Sequence, residues 1–392
     1  MKNLGLLLLL VFSLNIAMAQ QGVQFIEDKS WEEVLAVAKK ENKVVFLDAY
    51  TTWCGPCKKM SRDIFPLSSV SDTYNSTFIN VKMDMEKGDG IKVARRYGIR
   101  VFPTLLYVNS EGEVLHRIAG FQNEKQLLTL AKDAIDPMRQ LAGLKRKYNA
   151  GVRNESFLYT YAYACKNALE NRTYYTIANE YLNTQKDWSS KKNMKFILDF
   201  VTRTDAKMFD YLLDNRTAFE TSFGKTPINR TVERLVSTRI DQLLSFKDGE
   251  TDKIFEEAKV IFSKVYPDRA KGLTASFKMT YHRNGGDRKN FALAAIEYVD
   301  YMPTLSADEL SDIAWTFYRV IEDKKQLKLA LKWSRKALKM QKEITHYDTV
   351  ASLYYKLGKK RKARKYAKKG IKFAKSKNEA HDNLSELLEL TK

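Results

Sequence analysis

The run KVVFLDAY, Lys43 to Tyr50, is apolar at nearly every position. A strand with one face in water alternates apolar and polar residues, so a continuous apolar run needs cover on both faces. Such a strand commits the first part of the chain to a sheet with helices on either side. The neighbouring patterns supply those layers. Ahead of the run, Ser30 and Glu33 have the spacing of a capping box, and Trp31, Val34, Leu35 and Ala38 fall on one face of a helix ending near Asn42. After it, GPCKKMSRDIF reads as a helix, with Pro56 in the first turn, where the missing amide has no intrahelical partner to lose. FINVKMDM is a strand, DGIKVARRYG a helix stopped at Gly98, VFPTLLYV and VLHRIAG two strands joined by the turn NSEGE, and NEKQLLTLAKDAI a helix ending before Pro137. The predicted order is helix, strand, helix, strand, helix, two hairpin-joined strands, helix: an α/β domain with a mixed central sheet.

Beyond residue 140 the patterning changes to helical periodicity alone, broken by turn signals at NRT, FGKTP, YPD, RNGGD and MPT. ALKWSRKALK from Ala330 aligns with ARKYAKKGIK from Ala363 at an offset of 33 residues, and Tyr354, Gly358 and Ala363 have the spacing of a helix-turn-helix repeat. This stretch resembles the tetratricopeptide (TPR) repeat, although the motif's proline is missing and Gly370 stands where alanine is usual. At the other end, MKNLGLLLLLVFSLNIAMA carries an early lysine, an apolar run from Leu4 to Leu14 and an A-x-A arrangement at Ala17 and Ala19, which reads as a cleaved secretory signal. The run is shorter than the roughly 20 apolar residues of a membrane span. The expected organisation is a signal over residues 1–19, an α/β domain over 20–140, an all-helical region over 141–305 and TPR-like basic repeats over 306–392. The mature chain is expected in the periplasm or secreted.

The net charge of +20 is unevenly spread. Between Lys324 and Asn378 only Glu343 and Asp348 oppose a dense series of lysines and arginines. Such a field suits an anionic surface or an acidic partner, or else a plainly solvated helix face. Nucleic acid is not expected as a partner of an exported chain.

The chain has three cysteines, and two of them lie in TTWCGPCKKM. Zinc normally takes four Cys or His ligands, and here there is no second CxxC, while His116, His282, His346 and His381 are scattered singly. A purely structural disulfide closing so small a loop restricts few unfolded conformations. Redox exchange is left as the reading. At the start of a helix, Cys54 faces unpaired amides and the positive end of the helix dipole, which favour a thiolate and make it the nucleophile. One turn on, Cys57 is placed to attack the mixed disulfide and release the partner. Cys165, in the apolar helical pattern YAYACKNALE, reads as a buried thiol packing as a small hydrophobe, with a third redox or intermolecular thiol as the alternative.

WCGPCKKM resembles the active site of the thioredoxin family, and the match runs over residues 25–136. Asp48 in LDAYTTWC matches the family's buried acid, Lys82 its strand lysine, and YGIRVFPTLLYVNSEGEV its cis-proline segment, with Pro103 as that proline and Gly120 as the glycine after the last strand. The resemblance implies a thioredoxin-like fold and a thiol-disulfide oxidoreductase, with Cys54, Cys57, Asp48 and Pro103 as catalytic positions and Trp53, Phe102 and Gly120 as substrate contacts. Burial raises the pKa of a carboxyl such as Asp48 and suits it to take a proton from Cys57; the alternative is a structural carboxylate paired with Lys82. A cis bond before Pro103 turns the chain beside Cys54, so that a partner peptide pairs as an added strand. Tyr50 stands where thioredoxins commonly have tryptophan.

The Gly-Pro pair between the cysteines resembles reducing members of the family, whose potentials lie near roughly −270 mV against about −120 mV for strong oxidants. The expected activity is therefore reduction or isomerisation of disulfides in client proteins. No flavin or nicotinamide motif occurs, and no cofactor is expected; the resemblance implies a membrane electron donor. In this reading the helical tail recruits a partner. The rival reading is a helical scaffold whose thioredoxin-like domain has only incidental redox activity.

Overall fold

The computed structural model describes residues 22–246, 250–302 and 304–392, so the expected signal over residues 1–19 lies outside the described residues. The first elements are α1 (Trp31–Glu41), β1 (Val44–Tyr50), α2 (Gly55–Asp63), α3 (Ser68–Thr77), β2 (Phe78–Asp84), α4 (Gly90–Arg96), β3 (Thr104–Val108), β4 (Val114–Ala119) and α5 (Glu124–Ile135). The sheet order is β2-β1-β3-β4. β1 lies parallel to β2 and antiparallel to β3, which pairs antiparallel with β4, so the sheet is mixed. The apolar run Lys43–Tyr50 supplies β1, an interior strand. Val45, Leu47 and Ala49 point into a core with Trp31, Val34 and Ala38 of α1 and Val93 of α4. Phe46 points to the opposite face, among Met60 of α2, Tyr74 of α3 and Leu127 and Ala131 of α5. By the period of two along a strand, Asp48 shares the Phe46 face.

Two local features differ from the predicted order. The helix α3 is an additional element that the local sequence pattern does not predict. Its sequence SSVSDTYNST is rich in residues that compete with helix by bonding their own backbone, and Leu67 at its N-cap makes no side-chain cap bond. Tertiary contacts hold it instead: the Tyr74 hydroxyl lies 2.7 Å from that of Tyr107 on β3 and donates to the Leu127 carbonyl at 3.0 Å. The strand read over VFPTLLYV begins only at Thr104. The capping box at Ser30 and Glu33 and the stop at Gly98, with φ +59°, are as the sequence implies.

The helices continue with α6 (Leu141–Asn149), α7 (Glu155–Asn167), α8 (Asn171–Asn183) and α9 (Lys191–Phe200). α6 and α7 pack against β4, and the Leu141 amide at the start of α6 donates to Nδ1 of buried His116 at 3.1 Å. Burial pushes the His116 pKa down to about 4, which keeps the ring neutral and able to accept that bond.

The chain divides into two compact units between Asn193 and Met194. In the second, α10 (Lys207–Asp214), α11 (Arg216–Phe223), α12 (Lys225–Ser245), α13 (Thr251–Val265), α14 (Ala270–Asn284) and α15 (Arg288–Tyr301) are followed by α16 (Ala307–Val320), α17 (Lys324–Met340), α18 (Ile344–Lys356), α19 (Lys360–Lys377) and α20 (Asp382–Leu390). α16 packs on α17 and α18 on α19, and α17 also packs on α18. Phe317 and Trp333 meet edge-on at 5.2 Å in a core with Leu310, Ala337, Leu353 and Ala363. The two aligned sequence segments thus occupy α17 and α19, and Gly358 makes the turn before α19 with φ +72°. Among the described residues no helix is long and apolar enough to cross a membrane.

Candidate active site

β1 delivers the cysteine segment directly. The chain leaves the strand at Tyr50, and Cys54 becomes the N-cap of α2 with extended backbone angles. Its sulfur accepts the Cys57 amide at 3.1 Å, filling one of the orphan donor positions of the helix start. Pro56 sits in the first turn. Cys54 and Cys57 are joined as a disulfide, only 3% and 2% exposed. A sulfur at this position has amide donors and the positive helix end to stabilise negative charge when the pair is reduced.

The peptide bond between Phe102 and Pro103 is cis. The Gly120 amide donates to the Pro103 carbonyl at 2.8 Å, tying the end of β4 to this segment. Gly120 has φ +92°, a backbone conformation natural to glycine, and open space where a side chain would stand. Trp53 is 66% exposed. Its ring meets Phe102 edge-on at 6.0 Å, and its indole N–H donates to the Glu86 carboxylate at 3.0 Å. Trp53, Phe102, Pro103 and Gly120 therefore form a connected group, while Cys54 follows Trp53 in the chain.

Asp48 is buried, and among the described residues neither carboxylate oxygen has a hydrogen-bond partner. Burial pushes its pKa up to about 7, against a smaller opposing pull from the Lys82 ammonium. Asp48 and Lys82 are paired positions on β1 and β2, yet Lys82 donates to the Ser61 hydroxyl instead of closing an ion pair with Asp48. Ser61 in turn donates to the Cys57 carbonyl at 3.1 Å, and the Lys82 ammonium lies 5.0 Å from the centre of the Tyr50 ring. A cavity of about 430 Å³ is lined by Cys57, Ser61, Lys82, Tyr50 and Arg62 among others. That space can hold water beside Cys57.

Ser61 and Glu86 are site residues that sequence reasoning missed. Ser61 carried one usable signal, its position four residues after Cys57 on a helix, where a hydroxyl reaches the preceding carbonyl. Glu86 carried none, because its contact with Trp53 depends on how β2 ends. Cys165 stands apart from this group on α7, fully buried; burial and the nearby Glu170 push its thiol pKa up to about 12. A thiol so rarely ionised is a poor nucleophile.

Residues 31–135 match the family model for a thioredoxin-like domain. The chain is 32% identical over 92 residues to Thioredoxin-1 of Drosophila melanogaster, a match covering 24% of this chain and 80% of that one. It is 35% identical over 106 residues to chloroplastic Thioredoxin Y1 of Arabidopsis thaliana, covering 27% of this chain and 56% of that relative. A third match is the thiol:disulfide interchange protein DsbD of Pseudoalteromonas atlantica, 26% identical over 108 residues, covering 27% of this chain and 18% of that protein. Among solved structures, a Bacteroides thetaiotaomicron protein named as a candidate disulphide-isomerase is 44% identical, with a TM-score of 0.28, over 30% of this chain and 95% of that one.

Proposed function

The chain belongs to the thioredoxin family, and from that premise we propose that it is an exported thiol-disulfide oxidoreductase that reduces or isomerises disulfides in client proteins of an envelope compartment. The observation that carries the proposal is Cys54 as the N-cap of α2, bonded to Cys57 and bordered by the cis-proline group and a buried, unpartnered Asp48.

In the reduced protein the Cys54 thiolate attacks one sulfur of a client disulfide. A mixed disulfide forms between Cys54 and the client, and the client's other sulfur leaves as a thiolate. Cys57 then gives up its proton, with the buried Asp48 carboxylate as the acceptor, and attacks the Cys54 sulfur. The client leaves as a dithiol once its sulfurs are protonated, and Cys54 and Cys57 are left oxidised, two electrons having passed to the client. An external dithiol must restore the pair, and a membrane electron donor suits an exported chain. Pro103 and Gly120 offer the backbone edge for a client strand, and Trp53 and Phe102 an apolar contact beside it. The signal over residues 1–19 supplies export, and the TPR-like helices recruit a partner.

Turnover of insulin disulfides by the full chain tests this reading. Cys54→Ser is expected to abolish it; normal turnover by that variant would sink the enzyme reading and favour the scaffold.

A further inference from the structure

The redox site does not use the most charged surface of the chain. α17 carries seven lysines and arginines and α19 ten, and neither helix contains an aspartate or glutamate. Like charges one turn apart on a helix destabilise it. Between α17, α18 and α19 lies a groove of about 630 Å³ with no carboxylate in its lining. Lys328, Lys332, Arg335, Lys336 and Lys339 form one stripe along α17, and Lys369 of α19 joins them. Lys342, just beyond α17, adds a further cation, and the remaining lining is apolar or aromatic: Leu331, Leu338, Tyr347 and Tyr366.

We infer that this groove binds an extended acidic segment of another protein, its carboxylates on the α17 stripe and its intervening apolar side chains on the leucines and tyrosines. Charge complementarity fixes the sign of the occupant. The predominance of lysine over arginine points to carboxylates met as point charges rather than to planar bidentate pairs. The recessed lining favours a narrow chain over a bilayer, because a flat surface meets the rim and leaves the leucines and tyrosines uncovered. From Lys328 to Lys339 the stripe rises roughly 17 Å, the reach of roughly five extended residues. This inference rests on the recruiting role given to the tail above and is independent of the disulfide chemistry.

The test is fluorescence anisotropy of a labelled peptide of roughly eight residues, alternating glutamate and leucine, titrated with the full chain. Reversing charge inside the groove with Lys332→Glu, Arg335→Glu and Lys336→Glu together is expected to weaken binding by about tenfold or more. Arg364→Glu, Lys368→Glu and Lys375→Glu make the same change in net charge on another face of α19, and are expected to weaken it by no more than about threefold. Arginine at positions 332 and 336 is expected to retain binding. Equal losses in the two reversed variants would overturn the inference in favour of a diffuse basic field. Tighter binding to anionic-lipid vesicles or polyphosphate than to the peptide would overturn it in favour of those ligands. Neither readout involves turnover, so failure here leaves the redox reading standing, and an inactive Cys54→Ser protein leaves the groove untouched.

Discussion

At Asp48 a carboxyl group sits where ionisation is disfavoured, with its pKa pushed up to about 7 by burial. In the unfolded chain it ionises near the ordinary value of 3.8. Between these values the native state binds more protons than the unfolded state, so this group's contribution to stability falls as pH rises and levels off above about 7. The full difference is roughly 4 kcal/mol. Asp48→Asn removes the titration. Denaturant unfolding of the oxidised protein is therefore expected to show the variant gaining on the parent between about pH 4.5 and about pH 8 by a few kcal/mol. Any fixed cost of the buried amide cancels in that comparison. An unchanged difference at the two pH values would contradict the environment given to Asp48. The same variant cannot accept the Cys57 proton, and release of the mixed disulfide is expected to slow.

Among the elements, those with a clear period were legible and those held by distant contacts were not. The run from Val44 to Tyr50, the capping box at Ser30 and the helix start at Cys54 each state their structure within a few residues. α3 does not, because Tyr74 finds its hydroxyl partner on β3 and its carbonyl partner on α5. The attachment of α6 through His116 joins residues 25 apart in sequence, and no local pattern announces it. The site divides the same way: the cysteines, Asp48 and Pro103 belong to a recognisable segment order, whereas Ser61 and Glu86 enter through tertiary placement. Gly370, which departs from the repeat pattern, has a physical reason in the packing. A Cβ there would lie 2.8 Å from Cβ of Tyr347 and 2.6 Å from Cδ1 of Leu384. Alanine in place of a helical glycine ordinarily gains about 1 kcal/mol, while overpacking costs about 1–3 kcal/mol. Gly370→Ala is expected to lower the melting temperature, and a rise would show that the helices part at little cost.

For the whole molecule, a thioredoxin-like domain precedes a helical region that is more basic and carries a groove of its own. In the proposed reading client choice and chemistry are separable, with the backbone edge near Pro103 assigned to the client disulfide and the groove beside α17 to a partner recognised by charge. The central claim is narrower than either, that Cys54 attacks first and Cys57 resolves. Its most direct measurement uses full-length Cys57→Ala, reduced, incubated with a disulfide-containing client and mapped by mass spectrometry. The account predicts an accumulating mixed disulfide at Cys54 and none at Cys165. No trapped species, or one formed through Cys165, would contradict it.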